Sequence, residues 1–149
     1  PGDYIIRLTI DGKVTDRNLK VKLDPRSEMS SEALSLQTNL SLQCYNNYDK
    51  LQGISESIDK MITTKRGEKD ELLKFRGSGT PNNGDIIYGS IYESELASES
   101  IVGLQSKLLY LLNVLQNADA KPTVKTEEAS SLLNKRVNEM EAAWKIINK

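Results

Sequence analysis

Over residues 4–10, and again over residues 19–23, apolar residues recur at every second position. Tyr4, Ile6, Leu8 and Ile10 are interleaved with Ile5, Arg7 and Thr9, the period-two pattern of a half-buried strand. Asp11-Gly12 follows, a pair suited to a two-residue type I′ turn because both central residues need positive φ. On the return, Leu19, Val21 and Leu23 share one face and Lys20 and Lys22 take the other. Asp24-Pro25 ends the pairing, since proline has no amide hydrogen to donate. The pattern predicts a β-hairpin. No third strand of similar quality follows, and a lone two-stranded hairpin is marginal in water.

After the hairpin the period changes. Ala33, Leu36, Leu40, Cys44, Tyr48, Leu51, Ile54, Ile58 and Ile62 recur every 3.6 residues or so, the α-helical spacing. Ser30 or Ser31 is placed as N-cap, and Glu28 and Glu32 suit the positive end of the helix dipole. A helix is expected from about residue 30 to 66, weakened at Gly53 and ended or kinked at Gly67, with Asp70 to Phe75 adding a turn or two. Residues 101–115, IVGLQSKLLYLLNVL, are apolar over most of a helical circumference, as in a helix buried between neighbours. Pro122 stops that helix, and Thr123 or Thr126 caps a third. Its stripe is Ala129, Leu133, Val137, Met140, Trp144 and Ile147.

Six of the nine glycines fall between positions 67 and 103, and RGSGTPNNGD (76–85) is a run of turn formers. Residues 76–100 are therefore expected to be a long Gly-rich loop. Within it IIYGSIY (86–92) is apolar enough to dock as a short strand or as a flap. The expected fold is mainly α: an antiparallel three-helix bundle preceded by an N-terminal β-hairpin, with the long loop between helices 1 and 2. Residues 1–26 form the hairpin unit and residues 27–149 the helical domain.

Composition narrows the chemistry. Twenty Lys and Arg against 21 Asp and Glu leave no basic excess for nucleic-acid binding. No apolar run reaches the length of a membrane span. Without histidine, and with Cys44 as the one cysteine, the usual transition-metal ligands and the Ser-His-Asp and Cys-His arrangements are missing. Cys44 lies on the apolar stripe and reads as a small core residue. The chain opens on Pro-Gly, as expected of a segment excised from a longer polypeptide.

Acidic pairs are the remaining candidates for catalysis. Glu93 and Glu95 lie beside Tyr88 and Tyr92, but two positions apart on a loop is poor geometry for a pair flanking a sugar. Glu139 and Glu141 diverge around a helix and read as a solvated face. Tyr88 and Tyr92 are candidate contacts to a sugar or a protein partner, weighed against packing of the loop on the bundle. Trp144 is in phase with Met140 and Ile147, which favours core packing over ligand stacking. Asn39-Leu40-Ser41 matches a glycosylation sequon in mid-helix, and Lys65-Arg66 suits a helix C-terminus. No catalytic, cofactor-binding or metal-binding residue is assigned.

Two stretches taken together carry a resemblance. PGDYIIRLTIDGK with LKVKLDPR (within 1–26) resembles the last two strands of an immunoglobulin-like domain, with a Pro-Gly-x-Tyr-x-x-Arg-Leu-x-x-x-Gly signature. LLYLLNVLQNADAKPT (108–123) resembles part of the helical tail that follows such a domain in bacterial sortilin-like, BNR/Asp-box repeat proteins, often labelled glycosyl hydrolases. The resemblance implies a secreted or periplasmic parent with β-propellers upstream, to which any hydrolase activity would belong. It transfers no catalytic residue, because none of the matching motifs is catalytic.

The leading expectation is thus a non-catalytic C-terminal accessory domain that packs against or spaces upstream domains. The alternative is a carbohydrate- or protein-binding module using residues 76–95, and a third reading is an enzyme domain built on a carboxylate pair. The hairpin's apolar face is expected to dock on the bundle near the start of helix 1, or to pair with a second copy in a homodimer. Residues 76–85 are expected to be the first site of limited proteolysis, since glycine and asparagine dominate and no apolar anchor is present. First cleavage within 101–115, followed by mass spectrometry, would contradict that assignment.

Overall fold

The computed structural model describes residues 1–64, 69–81, 99–117 and 119–148. Two strands, β1 (Gly2–Ile10) and β2 (Lys13–Val21), precede helices α1 (Ser31–Thr64), α2 (Lys69–Arg76), α3 (Ile101–Gln116) and α4 (Val124–Ile147). The protein is mainly helical with an N-terminal antiparallel hairpin, as the periodicities predict. The count of three helices is not met, because residues 69–76 form α2, a separate helix of eight residues.

Local chemistry accounts for each boundary. Asp11 (φ 49°) and Gly12 (φ 78°) both adopt the left-handed conformation that the two-residue turn requires. Ser30 caps α1, its Oγ accepting from the Ala33 amide at 3.1 Å, and Thr123 does the same for α4 through the Thr126 amide at 3.2 Å. Gly53 does not interrupt α1, which runs 34 residues, roughly 50 Å at 1.5 Å per residue. At the end of α2, Gly77 (φ 88°) donates its amide to Leu73 O at 2.8 Å. A Cβ there would strike the side chain of Ser100, which is itself the N-cap of α3. Only glycine permits that turn to sit against the start of the next helix.

Side-chain pairs between helices establish the topology. Gln37 Nε2 donates to Leu115 O near one end of α1, and Gln105 Nε2 to Gln52 Oε1 farther along, so α3 runs antiparallel to α1. Ser130–Gln43 and Asn47–Asn134 hydrogen bonds, with the Lys50–Glu141 ion pair, set α4 parallel to α1. The arrangement is up-down-up. Cys44, Leu51, Ile54 and Ile58 of α1 meet Leu104, Leu108, Leu111 and Leu115 of α3 and Ala129, Leu133, Val137 and Met140 of α4 in one core. Helix α2 closes one end: Leu72 is buried, Arg76 Nε lies 2.9 Å from Asp59 Oδ1, and Phe75 stacks on Trp144 at 6.4 Å between ring centroids.

Two expectations need correction. Ile147 is 37 % exposed although it keeps the period of the α4 stripe, so the buried face of α4 ends at Trp144. More consequentially, the hairpin does not dock on the bundle: every residue of β1 and β2 is exposed. The buried stripes of the helices meet one another in one core to which no hairpin residue contributes. A compact turn between them, with Ser27 N donating to Asp24 O at 2.9 Å and the Arg26 guanidinium clamped on Asp24, separates strand from helix. The apolar segment 86–92 and the central part of the expected loop lie outside the described residues.

Trp144 is 7 % exposed and carries the aromatic closure of the bundle. Trp144→Ala should cost about 3–5 kcal/mol in urea or thermal unfolding. Ile146→Ala, at a position 73 % exposed, should stay within about 0.5 kcal/mol of the parent.

Candidate functional site

The hairpin carries the most distinctive surface among the described residues. Its register pairs Tyr4 with Leu19, Ile6 with Arg17, Leu8 with Thr15 and Ile10 with Lys13, so these side chains share one face. Tyr4, Ile6, Leu8 and Ile10 are 52–60 % exposed, and Leu19 and Val21 are little more than half covered. Ile5 and Val14 protrude from the opposite face, where Arg7 pairs with Asp16 through two hydrogen bonds of 2.9 and 2.8 Å. That bidentate contact holds the Asp16 carboxyl below the usual range. Isolated exposed hydrophobics are ordinary; a contiguous stripe along a hairpin is not.

A second surface feature is a groove of about 550 Å³ between α1 and α3. Leu42, Tyr45 and Leu112 line it with Gln37, Ser41 and Gln116. Leu42 and Tyr45 are more than half exposed. The groove is apolar at its centre and amide-rimmed, with Asp119 at one end, so it offers surface for packing rather than groups for proton transfer.

The acidic candidates are engaged structurally. Glu141 receives Lys50 Nζ at 2.9 Å on one oxygen and Lys145 Nζ at 2.8 Å on the other. Those two hydrogen bonds, Lys145 first, push its carboxyl down to about 2, so it stays ionised and cannot serve as an acid at neutral pH. Glu139 faces Lys135 at 4.0 Å. Cys44 is buried, and desolvation pushes its thiol up to about 11, which leaves it a poor nucleophile. Asn39 is exposed in the first third of α1. Tyr88, Tyr92, Glu93, Glu95, Lys65 and Arg66 lie outside the described residues. Among the described residues no group of three or more His, Cys, Asp or Glu could hold a metal ion, and no helix is long and apolar enough to cross a membrane.

One cluster was not anticipated. Glu99, just before α3, reaches Lys107 of α3 and Arg136 of α4, the latter at 3.6 Å, with all three side chains largely buried. Lys107 is the one charged residue in α3, a signal visible in an otherwise uncharged segment. Buried charges of this kind persist only in company, and their pairing locks the start of α3 onto α4.

No protein-family model matches the chain, and no curated protein and no solved structure matches it either.

The Glu141 contacts give a pH signature with a definite sign. A carboxyl depressed from 4.5 to about 2 stabilises the fold above pH 4.5 and loses that contribution as pH falls toward 2. Glu141→Gln should therefore be less stable at pH 7 by about 0.5–1 kcal/mol, since the lysines are solvent-exposed, and equal to the parent near pH 2. Urea unfolding at a series of pH values measures the difference.

Proposed function

We propose that the chain is a non-catalytic accessory and interaction module of a secreted or periplasmic β-propeller protein. The observation that carries the proposal is the apolar hairpin face, Tyr4, Ile6, Leu8, Ile10, Leu19 and Val21, left exposed beside a bundle that has buried its own stripes. Leaving such a row in water forgoes roughly 1.5–3 kcal/mol per large side chain, so the face is built to be covered. The resemblance of residues 1–26 to the end of an immunoglobulin-like domain supplies the covering partner: strands contributed by upstream sequence of the same polypeptide. The helical bundle then serves as a stiff body that packs against, or spaces, the propellers to which any glycoside hydrolysis would belong. The engaged Glu141 and the raised Cys44 thiol agree with a packing role for this part of the protein.

The double variant Ile6→Ser/Leu8→Ser tests the reading. The isolated chain should bind the dye 8-anilinonaphthalene-1-sulfonate through the hairpin, and the variant should lose that fluorescence. Because the hairpin does not support the bundle, the variant should melt within about 0.5 kcal/mol of the parent. In trans, the separately produced upstream region should bind the chain and fail to bind the variant. A variant that melts early, or that binds the upstream region undiminished, would overturn the proposal.

A further inference from the structure

We propose that the groove between α1 and α3, a surface distinct from the hairpin, docks a helix of a separate partner protein. That helix is apolar along one face and basic at the end that meets Asp119. In a chain that is 28 % charged, α3 carries no charge except Lys107, which is buried. Its exposed residues Asn113, Val114 and Gln116 are all uncharged. The facing wall on α1 is Thr38, Ser41, Leu42 and Tyr45, again without charge, and Leu42 and Tyr45 are more than half exposed. A solvated helix face is ordinarily the charged one. Depletion of charge around an exposed aromatic is instead the composition of an interface centre.

The shape suits a helix. From Gln37 to Tyr45 the groove follows α1 for roughly 12 Å, about two turns. Its walls are the flanks of two packed helices, which receive a third by fitting ridges into grooves. An extended peptide would need partners for its backbone. The backbones of α1 and α3 are already bonded within their own helices, and Leu42, Leu112 and the Tyr45 ring offer a strand's amides nothing. An incoming helix arrives with its backbone satisfied and has only to supply apolar side chains at i, i+3 and i+7.

Charge sets the orientation. Among the described residues Asp119 is the one charged group lining the groove, and it stands just past the end of α3. Its carboxylate and the C-terminus of α3 both favour a cation there. Beyond Asp119 the surface continues to Glu28 and to Asp24, the latter already neutralised by Arg26. Lys121 lines a separate crevice with Pro122 and Thr123. A second copy of this chain is the poorer occupant. Among the described residues no helix displays large apolar side chains in the open at i, i+3 and i+7.

A display library of helical peptides of about 20 residues, randomised on one face, supplies the probe. Peptides selected on the full chain should converge on an apolar i, i+3, i+7 row with Lys or Arg at one end. The double variant Leu42→Gln/Tyr45→Gln should melt within about 2 °C of the parent and bind the selected peptide about 10-fold or more weakly. Asp119→Lys should also weaken it, and should accept the same peptide with Glu in place of its basic end. A nitroxide on the peptide locates it on the unsubstituted chain, which keeps the test intact if a groove variant fails to fold. Methyl resonances of Leu42 and Leu112 should broaden, and those of Leu8 and Leu19 should not. A selection that yields no binder, or only extended or uncharged ones, overturns the proposal, as does broadening confined to the hairpin. Self-association that the groove variant abolishes identifies a second copy as the occupant and overturns it too.

Discussion

Everything in the helical domain depends on burying α3. This segment is apolar around most of its circumference, so it is stable only when enclosed, and α1, α4 and α2 are arranged to enclose it. Ile101, Leu104, Leu108 and Leu111 are essentially inaccessible, and each represents a hydrophobic gain of roughly 1.5–3 kcal/mol. Apolar contact alone is indifferent to small slips along the helix axes. Polar pairs remove that freedom: Gln52–Gln105 sets α1 against α3, and Gln43–Ser130 and Asn47–Asn134 set α1 against α4. The buried Glu99–Lys107–Arg136 cluster adds a further constraint, because a slip would strand a desolvated charge.

The core of the bundle is made by the helices alone, and the hairpin takes no part in it. The long stripe of α1 is used up by α3 and α4, and the turn held by Asp24 and Arg26 intervenes before the first helical residue. The hairpin is locally well specified by its turn, its register and the Arg7–Asp16 pair, yet these are weak forces against exposure of a whole apolar face. Local specification and tertiary incompleteness in the same element are what motivate the interaction reading.

Much of this was legible one residue at a time. Asp11-Gly12 dictated a type I′ turn because few other pairs tolerate two positive φ angles. The 3.6-residue recurrence from Ala33 to Ile62, and from Ala129 to Trp144, named the core faces of α1 and α4, since a helix has one way to put such residues together. Hydroxyls at Ser30 or Ser31 and at Thr123 or Thr126 announced the helix starts, because a side-chain oxygen is needed to accept a free amide, and Ser30 and Thr123 are the two that do so. The candidate surface was legible only as a pattern: alternation identified Tyr4, Ile6, Leu8 and Ile10 as one face without saying what would lie on it.

The remainder belonged to tertiary structure, because it depends on distance through space rather than along the chain. Asn47 and Ser55 are buried although neither is apolar, since neighbouring helices supply cover and, for Asn47, a hydrogen-bonding amide 87 positions away. Lys107 could be noticed in α3, but its partners Glu99 and Arg136 are set by how α3 meets α4. Ile147 keeps the period of its stripe and is still exposed, because helix lengths and packing decide where a core ends. The hairpin obeyed every local rule and was left uncovered for the same reason. Local sequence dictates which face an element must bury; whether a partner stands opposite that face is decided by the assembled neighbours, and for β1 and β2 the helices do not provide one.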